Sequence, residues 1–305
     1  MMPKSLPTAE FGRTGITVTR LGFGTATAQA IDLDVWQSVL NAVLDEGINF
    51  IDTAHGYGMA WNRPAEEMIG KYLAARREEF YLTTKGGSAD DGSWTKEELF
   101  RQLHGSLSRL KMDDVDVLLL HNPSVKDCEE GDLVQGLEDM RRQGKVRWIG
   151  ISTSLPEVST FLEWGVFNVF QLPYSVLERE HEHAMAQAAA AGIGIIVRGG
   201  VAQGEPGIGQ GEPDRWQRYS QSSLDELRPS SESRTTFLLR HTMTNVNAHT
   251  NIVGTTNLDH LHENVQAALR GILPDDLNTE INRRLAGIDE GWIEDEGAST
   301  ATQPA

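Results

Sequence analysis

The sequence predicts an α/β chain built as a (β/α)8, or TIM, barrel. Short runs rich in Val, Ile, Leu and Phe alternate with helical patterns, and this strand-then-helix unit recurs eight times. Such runs read as parallel strands buried on both faces, and eight units in about 250 residues is the arithmetic of that barrel. A doubly wound dinucleotide-binding sheet, which spacing alone leaves open, would carry Gly-x-Gly-x-x-Gly after an early strand. Here Gly22-Phe23-Gly24 is followed by Thr25, Ala26 and Thr27, so the third glycine is missing. No linker-like change of composition divides residues 1–290, which are expected to form one domain. Residues 291–305 are small, polar and acidic, and are expected to lack order.

In chain order, Glu10 to Thr19 reads as a small hairpin about Arg13-Thr14-Gly15, and Arg20 to Thr25 as the first barrel strand. Asp34 to Glu46 has helical spacing and Gly47 stops it. The second strand, Asn49 to Thr53, runs into His55-Gly56-Tyr57-Gly58, where glycines on both sides leave the tyrosine ring uncrowded. A helix at Ala65–Ala75, a strand at Phe80–Lys85, a helix at Lys96–Leu110 and a strand at Val115–Leu120 follow. Next come helix Leu133–Gln143, strand Val146–Ile151, short helix Pro156–Trp164 and strand Val166–Leu172. An alanine-rich helix, Glu182–Ala191, leads to strand Ile193–Val197 and then a Gly- and Pro-rich loop to about Ser220. Helix Ser233–Met243, strand Asn251–Val253 and helix Leu258–Arg270 complete the unit.

Composition bounds the partners. With 27 basic and 44 acidic side chains the net charge is -17, which argues against nucleic acid or an anionic membrane surface, since both need a basic face. The single cysteine, Cys128, excludes an internal disulfide and a multi-cysteine metal site, and fits a reducing, cytoplasmic compartment. Met1 to Glu10 has no apolar core of a signal peptide, and no run approaches the ~18 apolar residues of a membrane span.

In such a barrel, chemistry sits where strands hand over to loops. The strand-end residues here are Asp52, Lys85, His121, Ser152, Gln171, Arg198 and the run Gly254-Thr255-Thr256, with Tyr57 on the loop after the second strand. Asp52, Tyr57, Lys85 and His121 form a chemical set. A free phenol titrates near pH 10 and is a poor acid at neutrality. An ammonium about 4 Å away, at an effective dielectric near 20, favours the phenolate by roughly 4 kcal/mol. A carboxylate would keep that ammonium charged, and a histidine would orient a carbonyl oxygen. The set suits protonation of an oxygen as hydride reaches its carbon, and lacks a nucleophile-and-base pair for hydrolysis.

Asp-Thr-Ala-x-x-Tyr-Gly at 52–58, Thr-Lys at 84–85 and Leu-Leu-His-x-Pro at 119–123 resemble the catalytic signatures of the aldo-keto reductase superfamily. Leu21-Gly22-Phe23-Gly24-Thr25, Gly150-Ile151-Ser152, Gln171-Leu172-Pro173-Tyr174 and Glu263-Asn264 extend the resemblance over roughly Glu10 to Arg270. It implies an NAD(P)H-dependent carbonyl reductase, NADPH being the family's expected cofactor, in a barrel whose N-terminal β-hairpin closes the bottom. It implies Tyr57 as proton donor, Lys85 and Asp52 as its tuners, and His121 as carbonyl orienter. It implies Tyr174 stacked on the nicotinamide, Gln171, Ser152 and Thr153 about its carboxamide, and Thr25 beside the cofactor. Arg198, Gly199, Gly200 and Gly204 would lie along the pyrophosphate, and Gly254, Thr255, Thr256, His260, Glu263 and Asn264 about the adenosine half. Trp61, Trp94 and Asn122 are candidate substrate walls.

Three departures stand out. Thr153 occupies a position the family often gives to Asn, and Arg198-Gly199-Gly200-Val201 replaces Tyr-Ser-Pro-Leu. The eighth loop offers no Lys or Arg for a 2′-phosphate. Arg198 is expected either to meet the pyrophosphate or an acidic substrate, or to sit in an ion pair at the barrel rim. His181-Glu182-His183 opens a helix and reads as solvated rather than metal-binding, so no metal is expected. The rival readings are a nucleotide-binding regulatory protein with slow turnover and a metal-dependent hydrolase.

Overall fold

The fold was read from a computed structural model, which describes residues 5–26, 32–61 and 64–299, and side chains throughout these except at 61 and 289–299. Two antiparallel strands come first, β1 (Thr8–Glu10) and β2 (Thr17–Thr19). The barrel strands are β3 (Leu21–Gly24), β4 (Phe50–Asp52), β5 (Tyr81–Gly86), β6 (Val115–His121), β7 (Val146–Ser152), β8 (Val169–Pro173), β9 (Gly194–Arg198) and β10 (Thr250–Val253). They are parallel in chain order, and β10 closes on β3. The chain is therefore a TIM barrel, as its sequence predicts.

The helices are α1 (Leu33–Asp45), α2 (Ala65–Tyr72), α3 (Lys96–Leu110), α4 (Val125–Glu130), α5 (Leu133–Arg142), α6 (Glu157–Trp164), α7 (Glu182–Ala190), α8 (Pro213–Gln221), α9 (Arg234–Thr242), α10 (Leu258–Arg270) and α11 (Asp275–Ser299). Local chemistry starts them. Asp32, Thr95, Ser233 and Asn257 each accept a first-turn N–H of the helix that follows. One face of each then packs on the barrel, as Trp36, Val39, Leu40 and Val43 do from α1.

Three helices differ from expectation. The loop expected to run to Ser220 contains α8, with proline at its first position and Trp216 and Tyr219 buried three apart. The segment after His121 contains α4, opened by a reciprocal capping box between Ser124 and Asp127. The tail expected to lack order from residue 291 is helical as far as Ser299; residues 300–305 lie outside the described residues. Leu277, Ile281 and Leu285 bind the start of α11 to a side cluster with Trp216 and Tyr219. Each further turn then extends a formed helix, which costs far less than starting one.

Alternation along the strands sets the site. Phe50, Val117, Leu119, Val169 and Ile196 fill the barrel interior with Phe11, Ile16 and Val18 of the hairpin. The N-terminal hairpin thus plugs the bottom of the barrel. Two residues further along the same strands, on the same inward face, stand Asp52, His121, Gln171 and Arg198. The apolar layer is therefore roofed by a polar one. The plug is fitted tightly: Gly12 adopts φ +55, and a Cβ there would meet the Gly194 nitrogen at 2.4 Å.

Candidate active site

Lys85, at the end of β5, is 1% exposed, and its ammonium protons are all taken. Nζ donates to Asp52 Oδ2 at 2.6 Å, to the Thr53 carbonyl at 2.9 Å and to the Tyr57 hydroxyl oxygen at 3.3 Å. Because the Tyr57 oxygen accepts there, its own proton is free to point elsewhere. Burial alone would push Lys85 down, but the Asp52 carboxylate and the Tyr57 oxygen outweigh it, and its pKa lies above the ordinary lysine value. Asp52 is held on its other oxygen by Gln171 Nε2 at 2.8 Å. The sequence did not foreshadow that contact: 119 positions separate the two residues.

The His121 ring stands edge-on to Tyr57, with centroids 5.8 Å apart at 80°. Burial first, then the charges of Lys85 and Arg198, push its pKa down to about 3. Its imidazole is thus neutral at ordinary pH, with one N–H to offer. His55, in the same loop, faces away: its backbone N–H donates to the Lys85 carbonyl and its ring meets Arg109. Behind it, buried Glu66 accepts from Thr84 and pairs with Arg109 at 2.7 Å, a support the sequence did not reveal.

A cavity of about 1170 Å³ opens above this polar layer, somewhat larger than the roughly 300–1,000 Å³ of small-molecule and cofactor sites. Asp52, Tyr57, His121, Asn122, Ser152, Gln171 and Arg198 line one part. Gly199 and Gly204 line the loop after β9, and Gly254, Thr255, Thr256, His260, Glu263 and Asn264 line the β10–α10 region. The lining also includes residues that the sequence reading missed: Glu205 and Ile208 to Gln210, Glu178 with Arg215, and Ser233, Thr235 and Thr236 at the start of α9. The N-cap serine before the α9 pattern was the available signal. The loop after β9 folds back on itself only because its glycines lack side chains: a Cβ at Gly211 would meet the Gly204 carbonyl at 2.0 Å.

Several expected residues lie elsewhere. Tyr174 is buried in the core between strands and helices, and its hydroxyl donates to Glu182 at 2.7 Å beside a separate small polar cavity. It therefore offers no face to a ring in the large cavity. Burial, then Glu182, raises its pKa. Thr25 is buried and ties β3 to β4 by bonding the Asp52 carbonyl. The Thr153 hydroxyl bonds the Ser154 carbonyl. Thr25, Thr153 and Tyr174 each lie one residue past an inward-facing one, which turns them outward. The Gly200 carbonyl accepts from Thr242, away from the lining. Trp94 packs half-buried against the outer core rather than the cavity; the side chain of Trp61 lies outside the described residues. His181 accepts from the Leu155 N–H. Among the described residues no group of three or more His, Cys, Asp or Glu is arranged to hold a metal, and no helix is long and apolar enough to cross a membrane.

These residues suit a nicotinamide dinucleotide. Ser152 and the free oxygen of Gln171 can meet a carboxamide beside Tyr57, backbone N–H groups of the β9 loop can meet phosphates, and the N-terminus of α10 can meet an anion beyond them. From Ile252 to Asn264 the lining contains no Lys or Arg.

Known proteins resemble this chain in sequence and in fold. The model of the Aldo/keto reductase family matches residues 20–284. An uncharacterized oxidoreductase, YqkF of Bacillus subtilis, is 27% identical over 289 residues, 88% of this chain and 91% of that one. The L-galactose dehydrogenase of Arabidopsis thaliana is 26% identical over 280 residues, 84% of this chain and 86% of its own. Among solved structures, the holo form of aldo-keto reductase AKR11C1 from Bacillus halodurans superposes with a TM-score of 0.80 at 25% identity, covering 92% of this chain and 96% of that one.

Proposed function

The chain belongs to the aldo/keto reductase family and is an oxidoreductase, and from that premise we propose that it reduces an aldehyde or ketone to an alcohol with a nicotinamide cofactor, Tyr57 giving the proton. The observation that carries this reading is the Lys85 ammonium bridging Asp52 and Tyr57 beneath the cavity, at 2.6 and 3.3 Å. When bound, the cofactor, NADPH by family expectation, would supply the hydride that the carbonyl carbon takes up. The carbonyl oxygen sits between the Tyr57 hydroxyl and the neutral His121 N–H. As the carbon–oxygen π pair moves onto oxygen, the Tyr57 proton follows it.

The phenolate left behind faces an ammonium 3.3 Å away, an attraction of about 5 kcal/mol at an effective dielectric near 20. Asp52 holds that ammonium charged, and Gln171 holds Asp52. The charge arrangement exists before the reaction, so little reorganises as the proton leaves. The described lining from Ile252 to Asn264 has no lysine or arginine, so there a 2′-phosphate meets hydroxyls, His260 and the start of α10. A cytoplasmic setting is part of the same proposal.

The test is turnover of para-nitrobenzaldehyde with NADPH by wild type and Tyr57→Phe, with nucleotide binding followed by tryptophan fluorescence. Tyr57→Phe is expected to bind NADPH normally and to lose at least about 100-fold in kcat, the scale of general acid catalysis. Equal turnover by the two proteins overturns the assignment of Tyr57.

A further inference from the structure

We propose that Glu66 and Thr84 are positioning residues of the reaction: the clamp between their side chains fixes how closely the Tyr57 hydroxyl approaches the Lys85 ammonium, and so sets the rate at which Tyr57 gives its proton. This rests on the reductase reading above and extends it to two residues that stand outside the cavity lining.

Thr84 precedes Lys85 on β5. Side chains alternate along a strand, so Lys85 points into the barrel and Thr84 out toward the helices. There the Thr84 hydroxyl donates to Glu66 Oε1 at 2.5 Å. Glu66 stands in the first turn of α2, and both residues are fully buried. Ala65, its neighbour in the chain, donates its backbone N–H to the Tyr57 carbonyl at 2.9 Å. These links close a ring. From the Tyr57 carbonyl it runs through Ala65 and Glu66 to Thr84, then through one peptide bond to Lys85, whose ammonium returns to the Tyr57 oxygen at 3.3 Å. A second strap lies beside it. The other Glu66 oxygen accepts from Arg109 Nε at 2.9 Å and Nη2 at 2.7 Å, and Nη2 also donates to His55 Nδ1 at 3.4 Å. The His55 backbone N–H in turn donates to the Lys85 carbonyl at 3.1 Å. Helices α2 and α3 meet backbone to backbone here, since a Cβ at Gly70 would lie 2.2 Å from the Arg109 carbonyl oxygen. The ring therefore has little slack.

Stability alone does not call for this arrangement, because an apolar group of similar volume in place of a buried ion pair is often neutral or stabilising. What distinguishes Glu66 is where its contacts end. One oxygen reaches the residue beside Lys85, and the other reaches, through Arg109, the loop that carries Tyr57. The attraction between an ammonium and a phenolate weakens with distance, and a contact of 3.3 Å is already long for a hydrogen bond. Slackening the ring by about 1 Å breaks that contact, and a misplacement on that scale can cost on the order of 100-fold in rate.

The test begins with NMR of the full chain carrying tyrosine labelled at its ζ carbon. Among the five tyrosines, Tyr57 is identified by the resonance missing from Tyr57→Phe. At fixed neutral pH, Thr84→Val, which keeps the shape of threonine and deletes its hydroxyl, is expected to displace that resonance, and Thr84→Ser to restore it. Turnover of para-nitrobenzaldehyde with NADPH, taken per folded molecule, is the second arm. Thr84→Val is expected to lose at least about tenfold in kcat while KM and NADPH binding change little. Its solvent deuterium isotope effect on kcat is expected to rise, because proton transfer is the step slowed, and Thr84→Ser is expected to regain most of the loss. Thr84→Ala takes the place of Thr84→Val if that variant does not fold. An unmoved Tyr57 resonance overturns the proposal. So does wild-type kcat with only a lowered urea midpoint, which is the mark of a purely structural clamp, or a loss of NADPH binding as large as the loss of kcat. If wild type turns over no aldehyde, the reductase reading falls, and the resonance alone decides the clamp: displaced in Thr84→Val it upholds the clamp, unmoved it ends it.

Discussion

The ammonium of Lys85 has three donors and three acceptors, only one of them charged. Asp52→Asn keeps the shape and deletes that charge. Burial is the largest single influence on Lys85, so without Asp52 its pKa is expected to fall below the ordinary value. In wild type the raised pKa means a stabilising contribution that is full below the ordinary lysine value of 10.5 and lost as pH rises through the higher folded value. The variant is expected to move the alkaline limb of kcat toward neutrality and to lose about 3–5 kcal/mol on denaturant unfolding, the cost of orphaning a buried charge. An unchanged pH profile would separate Asp52 from the tuning of Lys85. At this scale the sequence was legible where parity agreed with spacing. Asp52, Tyr57, Lys85 and His121 come together, whereas Thr25, Thr153 and Tyr174 are right in kind but one step out of phase. The alternation visible along each strand could have excluded all three.

Among the elements, the hairpin plug depends on one backbone contact. Gly12 holds φ +55 with no room for a methyl group beside Gly192 and Gly194. Gly12→Ala is expected to destabilise by at least about 2 kcal/mol, read as a lower urea midpoint, with turnover per folded molecule unchanged. A midpoint equal to wild type would mean that the plug yields at no cost. Strands and interstrand helices were readable because hydrophobic runs and caps recur in register. Helix α8 was not, because Gly204, Pro206, Gly207, Gly209 and Gly211 lead directly into a short segment whose helical signal is two aromatics and a proline. The lining from the start of α9 was missed for a related reason. A cap residue marks where a helix begins, and nothing local says which cavity that beginning faces.

Across the described residues, burial is the leading cause of depressed pKa at five histidines, His55, His121, His181, His241 and His249, and the effect is large at three of them. His121 is pushed down to about 3, and His241 and His249 to about 4. Each folded pKa lies below the unfolded value of 6.5, so above that pH neither state binds the proton and nothing is contributed. As pH falls below it the unfolded chain takes up protons that the fold refuses, and stability drops by about 1.4 kcal/mol per pH unit for each histidine. Urea unfolding at pH stepped from about 7 to about 4.5 is expected to follow that slope. His249→Asn, whose amide oxygen can still accept from the Ile195 N–H, is expected to flatten it by one proton. A slope unchanged in the variant would remove His249 from the account.

The hydrocarbon floor formed by Phe11, Phe50, Leu119 and Ile196 also decides how the acid is recharged. On the proposed chemistry, water has no route to Tyr57 from below, so the proton it gives up returns by the same doorway that the alcohol leaves through. Readiness for the next turnover therefore waits on departure from the last, and an alcohol that lingers in the doorway delays both.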